Sequence, residues 1–431
     1  NSLKIEQAKK LLTPIFRLSS NKQSGEKMNI LLSAYSINPY KGSEDAVGWN
    51  WVLTLSQKLP NSTIYILTRT YNEDDTRKGI EEFGLKNVKL IIVEVPKALD
   101  WFREKHSAFH HAYYILWQKV AYNWAKKSGI KFDIIHHVSM GNYRICGDMY
   151  KFKDAHTIFG PVGGGQTTPA SLRSYYNKNK NYEKFRDIVS KAFSKFNFYK
   201  KQINLFDDIY TINNETKNAI ETATGKKCKK LCDISINSNM QGLDIYHPDK
   251  KPIEIIYLGR LIELKGIMLL VDVVKNIKTD MPFHVSLYGE GELESDIRKK
   301  IDEYGLNDVL TIQGKVNYTE ISDIYKNADI FAHPTFRDSS GAVFVEAMAN
   351  KLPIVALNQS LSRDLNEHKC GLFVNTEQSK EEIINEFAGK LKELIENYDL
   401  RVKLGQNGYD YANTYLTMDY KFDTIYGKLI K

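Results

Sequence analysis

The residues best placed for chemistry lie between positions 331 and 356, in FAHPTFRDSSGAVFVEAMANKLPIVA. An apolar strand pattern ends at His333, a turn of small residues follows, and a helical pattern begins near Gly341 with Glu346 one turn inside. The first N–H groups of a helix have no intrahelical partner, so the amides of Ser339, Ser340 and Gly341 offer a site for an anion or a hydroxyl. Asp338 before the turn and Glu346 beyond it aim at the same pocket. Carboxylates accept strongly from paired hydroxyls such as those of a sugar. Taken alone, the segment also fits a capped helix with incidental acids.

Upstream, IIYLGRLIELKGI (255–267) ends a strand at Gly259 and sets Arg260 and Lys265 around a short turn into the next helix. Two cations there suit a diphosphate, whose charge must be neutralised as a bond to it breaks. Singly, each also reads as solvated surface. In the first half of the chain, NPYKGSEDAVGWNW follows a strand and offers Gly42, Ser43 and Glu44. FDIIHHVSMGNYR ends another strand on His136 and His137. Strand alternation turns one of the two inward, and His137 is favoured; both as structural histidines is the open alternative. GPVGGGQTTP supplies Gly163, Gly164 and Gly165, which allow close backbone approach to a ligand. No Lys-Ser/Thr follows, so this is no P-loop.

These residues need a scaffold, and the chain reads as two. At 431 residues it is long enough for two domains of roughly 200 residues each. Short apolar strands alternate with helical stretches at Ile30–Ser33, Thr63–Thr68, Lys89–Val93, Ile134–His137, His156–Phe159 and Asp208–Thr211. A second series runs through Ile253–Leu258, His284–Tyr288, Leu310–Gln313, Ile330–His333 and Ile354–Ala356. Such βαβ alternation predicts parallel sheets covered by helices, an α/β class of two facing Rossmann-like domains. The polar, proline-containing stretch 236–252 reads as the linker between them. The expected division is a lead-in over 1–27, one domain over 28–238, another over 239–412, and a helix over 413–431 returning to the first domain.

The order of these motifs resembles glycosyltransferase family 4, whose fold is GT-B. The resemblance covers nearly everything after Met28 and is most specific from Ile253 to Phe373. The family's E-x7-E motif has its second Glu at Glu346, while Asp338 stands at the first position. The resemblance implies that Glu346 binds the donor ribose and that Asp338, with the amides of Ser339 to Ala342, binds the sugar. It assigns Gly259, Arg260 and Lys265 to the diphosphate, the backbone near Lys315 and Val316 to the base, and Gly42 and Ser43 to a loop near the donor phosphate. Glu44, Gly163, Gly164 and Gly165 fall on the acceptor side, and a histidine (His137 or His136) faces the reacting sugar. It further implies transfer with retention from a nucleoside diphosphate sugar, a UDP-sugar favoured, to a glycan or lipid-linked acceptor in surface polysaccharide synthesis. No metal and no cofactor beyond that substrate are expected. Aspartate is one methylene shorter than glutamate, which leaves the sugar open. The competing readings are a non-catalytic GT-B subunit binding a partner or glycan, and a sugar-nucleotide epimerase.

Composition is that of a globular protein, with 42% hydrophobic and 26% charged residues. No apolar run approaches the ~18–20 residues of a membrane-spanning helix. Four scattered cysteines without a CxxC pattern predict free thiols and a cytoplasmic setting, at the membrane face if the acceptor is lipid-linked. A formal charge of +8 points to anionic partners. Nucleic acid is the least favoured of these, since no recognised module appears. Two stretches carry aromatic stripes at helical spacing. One places Phe109, Tyr113, Leu116, Trp117, Val120 and Trp124 together; the other Phe185, Ile188, Val189, Phe193, Phe196 and Tyr199 among lysines. Each stripe fits either a membrane surface or packing on the sheet.

Overall fold

A computed structural model describes residues 27–42, 44–96, 110–193, 197–236, 252–317, 320–338 and 341–430. The lead-in, most of the expected linker, Ser43, Phe109, Phe196, Ser339 and Ser340 lie outside the described residues.

The first half folds into β1 (Asn29–Ser33), β2 (Thr63–Thr68), β3 (Val88–Ile92), β4 (Ile134–His137), β5 (His156–Val162), β6 (Asp208–Thr211) and β7 (Lys229–Lys230). They pair in parallel in the order β3-β2-β1-β4-β5-β6-β7. The helices are α1 (Glu44–Lys58), α2 (Glu73–Glu82), α3 (His110–Lys127), α4 (Lys180–Phe193), α5 (Asn197–Asn204) and α6 (Asn214–Thr224). The second half forms β8 (Ile253–Leu258), β9 (Phe283–Tyr288), β10 (Leu310–Gly314), β11 (Ile330–His333), β12 (Ile354–Leu357) and β13 (Gly371–Val374). Their order is β10-β9-β8-β11-β12-β13, again parallel. With them run α7 (Ile267–Lys275), α8 (Glu294–Tyr304), α9 (Ile321–Asn327), α10 (Ala342–Ala349) and α11 (Leu361–Glu367). The last three helices are α12 (Lys380–Glu396), α13 (Tyr398–Tyr415) and α14 (Met418–Tyr426).

The strands form where apolar runs are covered on both faces, as parallel sheets require. Two strands carried no clear sequence signal. β7 is two exposed lysines, and β13 is only four residues, Gly-Leu-Phe-Val. Helix starts are marked chemically: Ser379 and Glu382 form a capping box at α12, and the Asn213 side chain accepts from Thr216 N at α6.

The two sheets exchange packing elements. Met418, Phe422, Ile425 and Tyr426 of α14 belong to the same apolar cluster as Ile30, Trp51 and Ile134 of the first sheet. Conversely, Leu172 and Tyr176, which follow β5, are buried among Leu261, Ile267 and Phe336 of the second half. Polar links reinforce this. The Tyr175 hydroxyl donates to Asp272 at 2.6 Å, Ser360 N donates to Glu215 at 3.1 Å, and Lys230 pairs with Asp364. No described helix is long and apolar enough to cross a membrane.

Candidate active site in the interdomain cleft

Loops leaving the C-terminal ends of β4, β5 and β11 enclose a cavity of about 480 Å³, where open α/β sheets place their ligands. One wall carries Glu44, Ser139, Met140, Gly141, Asn142, Gly163 and Gly164. The other carries Lys265, Asp338, Gly341, Ala342 and Val343.

The second wall depends on one glycine. Gly266 has φ +68°, and a Cβ there would lie 2.1 Å from the Pro334 carbonyl oxygen. Only glycine lets the turn bearing Lys265 seat against the β11 loop. Lys265 Nζ then reaches Asp338 Oδ2 at 2.5 Å, a partly buried ion pair at the cavity edge. Gly341, at φ +61°, opens α10. Within that helix Glu346 accepts from the Tyr325 hydroxyl at 2.9 Å. Burial pushes its carboxyl up to about 7, against the lowering effect of that hydrogen bond. Glu346 is not a lining residue; it sits one turn behind Ala342 and Val343. Arg260 is exposed, and its carbonyl accepts from Tyr257 at 2.9 Å. Val316 is half-buried against the apolar cluster beneath β12. His333 is buried, stacked between Tyr257 and Phe331, and burial lowers its pKa to about 3.

The first wall is stitched from separate loops. Gly163 N donates to Gly141 O at 2.6 Å and Tyr143 N donates to Gly163 O at 3.1 Å, joining the loops after β4 and β5. Glu44, the first residue of α1, accepts from Gly141 N at 3.1 Å. Although the residue is exposed at the mouth, desolvation of its carboxyl against this wall raises its pKa. The Gly141 N–H opposes that shift, and Asp233, also lining the cavity, adds to it. Gly165 turns away: a Cβ there would lie 2.5 Å from Thr216 Cα, so it packs on α6. Gly42 is exposed with open space around it.

Neither histidine lines the cavity. Successive residues of β4 face opposite sides of the sheet, and helices cover both. His136 Nδ1 meets the Tyr426 hydroxyl at 2.8 Å and Nε2 meets the Gly160 carbonyl at 2.6 Å. His137 Nε2 meets the Tyr114 hydroxyl at 3.0 Å on α3. Burial lowers the two to about 3 and about 4, so both are neutral near pH 7. The lining instead begins one residue later, at Val138. Of the residues singled out from sequence, the cavity brings together Glu44, Gly163, Gly164, Lys265, Asp338, Gly341 and Ala342. It also uses Ser139, Asn142 and Asp233, for which only the GN pair after a strand end gave any signal.

Two facing parallel α/β sheets around one cleft define a GT-B protein. Residues 244–411 match the model of the family Glycosyl transferases group 1. It is 26% identical over 192 residues to the D-inositol 3-phosphate glycosyltransferase of Paenarthrobacter aurescens (strain TC1), covering 43% of this chain and 45% of that protein. It is 27% identical over 221 residues to the capsular polysaccharide biosynthesis glycosyltransferase CapM of Staphylococcus aureus, covering 47% and 55%. The chain thus spans about half the length of such curated relatives. The structure of Anabaena HepE, solved with UDP and glucose, matches over 94% of this chain and 99% of that one, with TM-score 0.55 and 14% identity. That likeness is one of fold.

Proposed function

We propose that the chain transfers a sugar, with retention, from a nucleoside diphosphate donor to a glycan or lipid-linked acceptor in surface polysaccharide synthesis. The observation that carries this reading is the Lys265–Asp338 pair beside the start of α10, facing Glu44 and Gly141 across one cavity. Lys265 and Arg260 neutralise the departing diphosphate, where a preorganised cation is most effective. Asp338 and the α10 amides hold the sugar, and Glu346 holds the ribose as a carboxylate. His137 acts as a neutral group that positions the 138–142 segment rather than as a nucleophile. Binding of UDP and glucose by HepE, and the capsular role of CapM, favour a UDP-sugar and a surface glycan.

The acceptor reading extends to a bilayer. On α4, Tyr182, Phe185, Ile188 and Val189 are exposed, with Phe198 beyond them on α5. Lys180, Lys184, Lys200 and Lys201 are exposed around them. Such a basic, aromatic face suits an anionic membrane surface, where a lipid-linked acceptor would be found.

Turnover of UDP-, GDP-, dTDP- and ADP-sugars, with and without lipid extract, tests the proposal in wild type beside Lys265→Ala and Glu346→Ala. Selective turnover of one donor, raised by lipid extract and lost in both variants, is the expected result. Absence of binding to every donor would replace it with the non-catalytic reading.

A further inference from the structure

Helix α4 is built inside out. Its acids and its arginine face the protein, and its large apolar residues face solvent: Tyr182 is 59% exposed, Phe185 65% and Ile188 64%. The polar inner face makes hydrogen bonds and ion pairs with both walls of the cleft. Glu183 accepts from Arg337 of the donor wall at 2.7 Å. Arg186 lies 3.7 Å from Glu183 and donates to the Gln166 carbonyl. Ser190 accepts from Arg144, whose guanidinium also donates to the Gly164 carbonyl at 3.1 Å. At the start of α4, Glu263 accepts from the backbone N–H groups of Asn177, Lys178 and Asn179 at 2.8, 2.9 and 3.0 Å. Burial opposes ionisation of Glu263, but these N–H groups outweigh it and hold its carboxyl below the ordinary range.

The partners are not scattered. Arg337 adjoins Asp338, Glu263 is two residues before Lys265, and Gly164 lines the facing wall. One helix therefore grips the loops that carry the donor cation, the sugar carboxylate and the acceptor-side glycine. A buried pair such as Glu183–Arg337 is costly to separate, because parting leaves an uncompensated buried charge. Movement of α4 must then carry the Arg337–Asp338 loop with it.

We propose that α4 is a lipid-responsive strap: contact of its outer face with an anionic bilayer draws Lys265 and Asp338 into register with the Glu44–Gly164 wall. The inference rests on the bilayer reading given above. A surface can bias this equilibrium only if it binds the aligned state better. The exposed apolar residues supply that difference when α4 lies in the plane of the bilayer. Glu183, Arg337 and Glu263 are positioning residues in this scheme, acting on the donor through Asp338 and Lys265.

The test uses the full chain with vesicles of phosphatidylglycerol and phosphatidylcholine. Three readouts are taken: sedimentation with vesicles, amide exchange over 260–266 and 333–338 without donor, and donor turnover with and without vesicles. In wild type, vesicles should slow exchange and raise turnover by about tenfold. Glu183→Ala and Arg337→Met should sediment like wild type and lose both responses. Phe185→Ser combined with Ile188→Ser should lose sedimentation as well. The strap is overturned if either inner-face variant keeps the exchange response, or if wild type sediments without one. Wild type that fails to sediment would overturn the bilayer reading and the strap with it. Because exchange is read without donor, a chain that transfers no sugar would still show or lack the exchange response.

Discussion

The wall of the cleft that carries Lys265 and Asp338 comes from two short stretches, 255–267 and 331–346, each a strand, a turn and a helix start. The facing wall draws Glu44 from the start of α1 and Gly141 and Gly163 from the loops after β4 and β5, joined by a backbone hydrogen bond between the two glycines and by the Glu44 carboxylate accepting from Gly141 N. The first wall is set by local geometry, chiefly the Gly266 turn against Pro334 and the opening of α10 at Gly341. The second exists only once the first sheet has folded. The difference separates two tasks: holding the donor should fail with the compact wall, and using it should fail with the assembled one.

The largest effect that could break this division is that of Lys265→Ala. Loss of a preorganised cation at the diphosphate should lower donor turnover about 10²–10³-fold in steady-state assays. Glu44→Gln should lower transfer to acceptor by about 10²-fold, as loss of a positioned carboxyl does, while nucleotide affinity measured by calorimetry stays unchanged. Comparable losses of nucleotide affinity in both variants would erase the distinction.

Glu346 sharpens the comparison through pH. Its carboxyl titrates near 7 in the free protein, and the ionised form is the better acceptor for ribose hydroxyls. Nucleotide affinity should therefore fall as pH drops through about 7 and level off above it. Glu346→Gln should flatten that profile and leave a lower, pH-independent affinity. A profile unchanged in the variant would remove Glu346 from the donor site.

The smallest effect concerns both walls alike. His136, His137 and His333 are lowered by burial to about 3, 4 and 3 from 6.5. Below 6.5 the unfolded chain takes up protons that the folded chain refuses. Their contribution is full above that pH and is lost as pH falls toward the folded values. Glu346 acts in the opposite sense between 4.5 and about 7, and the carboxyls of Glu44 and Asp364, also raised by burial, act in the same sense as Glu346 against the three rings. Scanning calorimetry should show the melting temperature falling by a few degrees between about pH 6.5 and 5. A rise over that range would contradict the burial of these rings.

Legibility in the sequence followed the same division. Glu346, Asp338 and Lys265 lie in continuous motifs whose strand and helix bounds were readable to within a residue or two. The 138–142 lining and Asp233 were not, because their role depends on loops meeting in space. His136 and His137 end β4 just before the lining and lie outside it: alternation along β4 was readable, whereas the helices covering both faces were not. The two aromatic stripes make the point again. In α3, Tyr113 and Trp117 are buried on the first sheet, Trp117 donates to the Val93 carbonyl at 2.9 Å, and only Leu116 of the described stripe is turned out. In α4 the equivalent periodicity points outward, because Glu183, Arg186 and Asp187 claim the inner face. A period of 3.6 defines a face, and the polar partners decide which way it looks.

The central claim, that the Lys265–Asp338 wall holds the donor nucleotide, is tested most directly by titrating UDP into wild type, Lys265→Ala and Glu44→Gln at pH 8. Binding is expected in wild type and Glu44→Gln and should be lost in Lys265→Ala. Binding that survives in Lys265→Ala but disappears in Glu44→Gln would contradict it.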